Sequence, residues 1–279
     1  MISASSPFQI GIMLGRLSAK YNQPLQSFPL KTWLQEIKSA KSLNLDCIEW
    51  VEDGVSDLEN PLFSSEGRSC LVKLQEDNKM YIDSICCHSF ISGGLISQNI
   101  HHRKQWIKRL QSILGWASEI KSKAIIIPLM ERSAINNSIK ENIFLDSMNQ
   151  IKVNHDVKIL LETDLPAVSS LRVLKEVNAD HFGLVYDFGN ATQLQFDIYN
   201  DIQLLHSVIG EVHFKDKDLI SSYRLGCGKT NFLLAAKALN EFQWKGRCIL
   251  ETPIFHDWEA EANHNVAFAK KFISSLKLS

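Results

Sequence analysis

The chain has 279 residues, 45% hydrophobic and 22% charged, an ordinary globular balance that excludes a fibrous, collagenous or wholly disordered protein. Thirty Lys and Arg stand against 31 Asp and Glu, a net charge of −1. Without a basic excess, no role in gripping nucleic acid or an anionic membrane is expected.

Taken in chain order, short apolar segments alternate with helical ones. QIGIML (9–14) reads as a strand, and Trp33, Ile37 and Ala40 mark the helix after it. LDCIEW (45–50) is followed by helical spacing over 66–78, and MYIDSICC (80–87) by 101–121. In that long segment Trp106, Leu110, Ile113, Ala117 and Ile120 recur at steps of three and four. KAIIIP (123–128), VKILLE (157–162), FGLVYD (182–187) and GEVHF (210–214) are followed by helical stretches at 137–152, 166–176, 198–208 and 230–242. Thr230 stands where a cap for the last of these is needed. RCILE (247–251) precedes a final helix carrying Ala262, Val266, Ala269, Ile273 and Leu276.

Strands this uniformly apolar suit a parallel sheet buried on both faces. Eight strand–helix units in this length fit a (β/α)8 barrel, with a doubly wound open sheet as the structural rival. No linker or composition shift divides the chain, so residues 1–279 read as one TIM-barrel domain. The longest connection, Gly15 to about Leu30, would lie over the barrel mouth. The six cysteines form no C-x-x-C pair, and four sit in or beside apolar runs. They read as free thiols in a reducing compartment. The opening MISASSPFQIGIML has no basic region, and no apolar run approaches the roughly 18 residues of a span. A cytoplasmic protein is expected.

Barrel active sites lie at the carboxyl ends of the strands. Strand five ends in Glu162, strand six in Asp187 and strand eight in Glu251, while His213 lies next to the end of strand seven. A single carboxylate at a strand end is usually a cap or a surface ion pair. Four metal-binding side chains on four consecutive strands point to a metal site. Three carboxylates and one imidazole suit Mn²⁺ or Mg²⁺, with Co²⁺ or Zn²⁺ as alternatives.

LLETD (160–164), VYDFGN (185–190), EVHFKDKD (211–218) and ILETP (249–253) resemble the motifs of the xylose isomerase-like barrels. GIMLGRLS (11–18), LDCIEW and LGCGKTNF (225–232) resemble the sugar phosphate isomerase/epimerase branch. The resemblance spans about residues 9 to 277. It implies one divalent ion held by Glu162, Asp187, His213 and Glu251, with Glu162 and Glu251 as the proton-transferring pair. The ion would act as a Lewis acid on a sugar carbonyl and its neighbouring hydroxyl. One carboxylate would take the α-proton and the other return it. The expected partner is a small sugar or sugar phosphate, and the resemblance also implies assembly of copies through helices and mouth loops.

Supporting residues for the substrate are Glu49, at the expected end of strand two, His88 after strand three, and Lys215 in preference to Lys217 after His213. Arg224 stands before the Gly226–Cys227–Gly228 turn, whose amides are expected to be free for an anion. Arg16 follows strand one, and Tyr186 is expected to face the core. Where many relatives carry a histidine, this chain has Asn190, suited to a substrate hydroxyl. Alternatives are a metal-dependent dehydratase of a sugar-like hydroxy-ketone, an endonuclease IV-like nuclease, for which the histidines are too few, and a non-catalytic sugar-binding barrel.

Overall fold

The computed structural model describes residues 8–19, 24, 26–152, 156–177, 180–255 and 257–276. Eight parallel strands close into one barrel: β1 Phe8–Met13, β2 Cys47–Glu52, β3 Tyr81–Cys87, β4 Ala124–Leu129, β5 Lys158–Thr163, β6 Phe182–Asp187, β7 Ile209–Phe214 and β8 Gly246–Leu250. Each strand pairs with its sequence neighbours, and β8 closes against β1. The chain is a single-domain (β/α)8 barrel. Among the described residues, no helix is long and apolar enough to cross a membrane.

The helices are α1 Trp33–Ser42, α2 Ser65–Asn78, α3 Ile100–Glu119, α4 Ser138–Asn149, α5 Ala167–Glu176, α6 Phe188–Gln193, α7 Ile198–Leu205, α8 Phe232–Glu241 and α9 Trp258–Ser275. Polar side chains start most of them. Asn99, Asn137, Asp197 and Asp257 each accept a first-turn amide. The cap of α8 is Asn231, not Thr230. Asn231 accepts the Leu234 N–H, while the Thr230 hydroxyl receives the Lys217 N–H.

Strand two starts at Cys47, two residues later than its apolar run suggests. Asp46 exchanges two bonds with Ile10, its carboxylate accepting the Ile10 N–H at 2.8 Å, and so belongs to the turn. The strand consequently runs on to Glu52 and puts Glu49 in its middle. The Glu52 side chain, fully buried, pairs with Arg109 of α3 and accepts the Ser89 hydroxyl. That ties the mouth loops after β2 and β3 to the outer helices.

The large apolar layer lies between barrel and helices. A second, small cluster of Ala124, Ile126, Leu160 and Val185 lies apart from it, on β4, β5 and β6. Leu160 fits because β6 and β7 carry glycines beside it. A Cβ on Gly210 would lie 2.7 Å from the Leu160 side chain. The connection after β1 is anchored by Phe28, which is fully buried against Trp50 at 5.2 Å and donates its N–H to Asp53 at 2.8 Å.

Candidate metal centre

Residues two apart on a strand share a face, so β7 sends both Glu211 and His213 into the barrel. The register sets Asp187 beside His213, and Glu211 beside Arg247. At the carboxyl ends, Glu162, Asp187, His213 and Glu251 converge, their donor atoms all within 4.8 Å of one another and all four side chains buried. All four sequence-predicted ligands therefore meet.

Asp187 also serves as the cap of α6, its Oδ1 accepting the Asn190 N–H at 2.8 Å. Its other oxygen faces the Lys215 ammonium at 2.8 Å, and Lys215 reaches Glu251 Oε1 at 2.9 Å. Asn190 donates its side-chain amide to Glu162 Oε1 at 3.0 Å and accepts from Lys217 at 2.8 Å. The amide therefore orients a site carboxylate directly. Lys217 steadies Asn190 from behind.

The two candidate proton-transfer groups are tuned apart. Burial first, and then the Glu251 charge, push the Glu162 carboxyl up to about 7. Burial alone would raise Glu251 too, but Lys215, His213 and Arg16 hold it well below the usual carboxylate range. Burial opposes the charge on Lys215, yet Asp187, Glu251 and Glu162 keep its proton firmly bound. Pairs of carboxyls driven apart by their surroundings are the usual mark of divided acid and base roles.

Arg16 is buried at the mouth, 3.9 Å from Glu251 Oε1. It donates to the Gln26 carbonyl, and the Gln26 amide in turn donates to Glu251. The described part of the connection after β1 thus does reach over the mouth. Gln26 carries no sequence signal, because a lone glutamine in a loop looks like any solvated residue. His88 opens the turn after β3, half-buried. Burial lowers its pKa, and Glu251 is the charge that opposes this most strongly.

Two residues expected at the substrate lie elsewhere. Glu49 is fully buried in the barrel interior beneath the mouth, accepting the Ser84 hydroxyl at 3.0 Å and lying 3.5 Å from His213 Nε2. Arg224 is exposed, and its guanidinium contacts Cys227 Sγ rather than the cluster. The reason is the short antiparallel hairpin of Asp216–Lys217 and Ser222–Tyr223, which ends just before it. The glycine turn beyond is also not free for an anion. Asp216 accepts both the Gly228 and Thr230 N–H groups, at 2.8 and 3.1 Å. A Cβ on Gly228 would lie 2.2 Å from that carboxylate, which explains the glycine. Tyr186 is buried as expected and donates its hydroxyl to Asp201 at 3.0 Å. His256 lies outside the described residues.

Beneath the mouth is a layer the sequence reading did not assign. Glu211, fully buried, accepts from Arg247 Nε at 2.7 Å and lies 3.3 Å from His213 Nε2. Burial would raise its pKa, but Arg247 and then His213 bring it down to about 2. Glu49 goes the other way, pushed up to about 8 by burial, with Glu211 adding to the rise against His213. The signal was present in E-V-H, two polar residues on one face of a buried strand. Cys86 also faces the carboxylates. Burial pushes its thiol up strongly, Glu49 and Glu162 add to this, and it stays an unreactive thiol.

The donor set fits a divalent ion. It offers three carboxylate groups and one imidazole from four adjacent strands, in a negative cluster that draws two cationic side chains onto itself. The geometry thus defines a barrel with a metal-capable site at its carboxyl face. The chain belongs to the xylose isomerase-like TIM barrel family, whose model matches residues 37–272. A comparison with curated protein sequences finds no significant match. Solved structures with the same fold include 3-keto-D-glucoside 4-epimerase YcjR from E. coli, at a TM-score of 0.71 and 16% identity over 95% of this chain and 99% of that one. An L-ribulose 3-epimerase gives 0.76 and 16%, covering 96% and 95%. D-Allulose 3-epimerase from Methylomonas sp., in complex with D-allulose, gives 0.77 and 13%, covering 95% and 96%.

Proposed function

We propose that this protein is a divalent-metal-dependent isomerase or epimerase of a small sugar or sugar phosphate. The observation that carries the reading is the convergence of Glu162, Asp187, His213 and Glu251 from four successive strands into one buried cluster. These four would hold the ion, with Mn²⁺ or Mg²⁺ suited to the oxygen-rich set. When bound, such an ion supplies Lewis-acid polarisation of a carbonyl and its neighbouring hydroxyl.

The chain's own residues do the proton work. Glu162 enters from β5 and Glu251 follows β8, so the two carboxyls approach the cluster from separate strands. Their approach from separate strands lets one take a proton while the other returns it. Asn190 keeps Glu162 in one orientation. Lys215 and Arg16 balance the negative charge of the carboxylates, and Lys215 would also meet substrate oxygens. Gln26 and Arg16 limit water at Glu251. Structural neighbours named as sugar epimerases support the substrate class.

The test is solvent-deuterium incorporation at the α-carbon of a panel of ketoses and ketose phosphates, using chelator-stripped protein reloaded with Mn²⁺. One ion per chain and exchange that is lost in Glu162→Gln and Glu251→Gln are expected. The loss should be at least about 10²-fold, the lower range for a general acid or base. No retained ion under any loading, or mutants exchanging at the wild-type rate, would end this reading.

A further inference from the structure

His213 is gripped from both sides. Its Nδ1 lies 2.9 Å from Glu251 Oε2 at the mouth, and its Nε2 lies 3.3 Å from Glu211 Oε1 in the barrel interior. Glu211 is itself fixed. The register puts Arg247 directly opposite on β8, and Arg247 Nε donates to Glu211 Oε2 at 2.7 Å. A carboxylate paired with a guanidinium can only accept. The nitrogen facing Glu211 therefore carries hydrogen. Glu251 is an acceptor as well, so Nδ1 is bared only where an ion at the mouth takes the place of its hydrogen.

We propose that Glu211, locked by Arg247, is a positioning residue that keeps hydrogen on His213 Nε2 and presents Nδ1 to the mouth cluster. A ligating imidazole needs one bare nitrogen, and the partner of the other nitrogen decides which one that is. Rotation of the ring about its bond to the strand is resisted because both nitrogens are engaged on opposite sides. The consequence at the mouth rests on the metal-binding reading given above.

Glu49, Glu211 and His213 could themselves be read as a second ion site, since their donor atoms also lie within 4.8 Å. The chemistry argues otherwise. Arg247 already supplies a full positive charge to Glu211, and Ser84 donates to Glu49. An ion there as well as at the mouth would have to share one imidazole through both nitrogens. That requires a ring stripped of both hydrogens in a pocket where Glu211 holds one in place. The interior group is a support for His213, and it needs no ion of its own.

Two substitutions remove the acceptor facing His213 in different ways. Glu211→Asp keeps the negative charge beside Arg247 but withdraws the oxygen from His213 by one methylene. Glu211→Gln keeps the reach, but Arg247 claims its single oxygen and the amide turns a donating NH₂ toward His213 Nε2. Mn²⁺ affinity is measured by calorimetry on both, after circular dichroism confirms folding. The positioning role predicts that Glu211→Asp weakens Mn²⁺ binding by about 10- to 100-fold, the usual cost of losing a ligand's outer partner. Glu211→Gln should weaken it at least as much. Wild-type affinity in either variant would overturn the proposal.

A second readout does not depend on the metal. In protein labelled with ¹⁵N-histidine and kept metal-free, the His213 Nε2–H should give an exchange-protected resonance. It should vanish or shift in both Glu211→Asp and Glu211→Gln. An unmoved resonance in either variant would overturn the role. A wild-type chain that binds no Mn²⁺ would sink the functional reading alone, and the resonance would still decide this one.

Discussion

His213 belongs to two clusters. At the mouth its Nδ1 meets Glu251, among carboxylates partnered by Lys215, Asn190, Gln26 and Arg16. In the interior its Nε2 meets Glu211 and Glu49, partnered by Arg247 and Ser84. The mouth partners stand in loops, just beyond a strand end or, for Asn190, in the first turn of α6, while the interior partners stand within strands. A loop side chain can exchange its contact for a ligand's. A side chain packed within the strands has less room to exchange its contact. The same residue types, carboxylates and one imidazole, thus make an exchangeable site above and a fixed support below.

The comparison can be broken at several points. The largest effect should come from Arg247→Met, which leaves Glu211 buried without its cation. A loss of about 3–5 kcal/mol in urea unfolding is expected, and a near-neutral result would mean the interior pair is not the fixed support described. Leu160→Ala, on the apolar wall across the barrel interior, should cost about 2–5 kcal/mol by opening a cavity. It should leave Mn²⁺ affinity unchanged in calorimetry, because Leu160 supplies no donor to either cluster.

Metal loading sharpens the contrast. Mn²⁺ at a hundred times its dissociation constant should add about 2.7 kcal/mol of stability by mass action. The same total Mn²⁺ should add little to Asp187→Asn, which removes a mouth ligand. Gln26→Ala should be milder. Loss of one hydrogen-bonding amide is worth about 0.5–1.5 kcal/mol, read as a rise in KM with kcat nearly kept. A fall in kcat alone would make Gln26 part of the chemistry instead.

The smallest effect concerns the anchor of the first mouth loop. Burial opposes it, but the backbone N–H groups of Ser56, Phe28 and Val55 hold the Asp53 carboxyl below its ordinary value. Its folded pKa lies under its unfolded one, so its contribution is present above the unfolded value and is lost as pH falls through the folded one. The urea midpoint of Asp53→Asn should therefore fall less than wild type between about pH 5 and 3, around the ordinary carboxylate range. Parallel curves would show that the anchor does not depend on this charge.

Much of the molecule was legible beforehand. All eight strands fall within two residues of their apolar runs, because a strand buried on both faces must be apolar nearly throughout. The four converging side chains at the mouth were legible because they recur near the same end of four consecutive strands, whereas one alone would pass for a cap or a surface ion pair. Chain order alone could not say how deep Glu49 lies, since Asp46 joins the turn through Ile10 and delays the strand. Nor could it say that Arg224 is turned away by a hairpin, or that the Gly228 amide is already taken by Asp216. Gln26 meets Glu251 across 225 residues, on a connection that Phe28 anchors against Trp50. Glu211 meets Arg247 across 36 residues only because β7 and β8 share a register. Local periodicity sets which residues are buried. Which buried charges meet is set by barrel closure, through contacts distant in sequence that leave no local pattern.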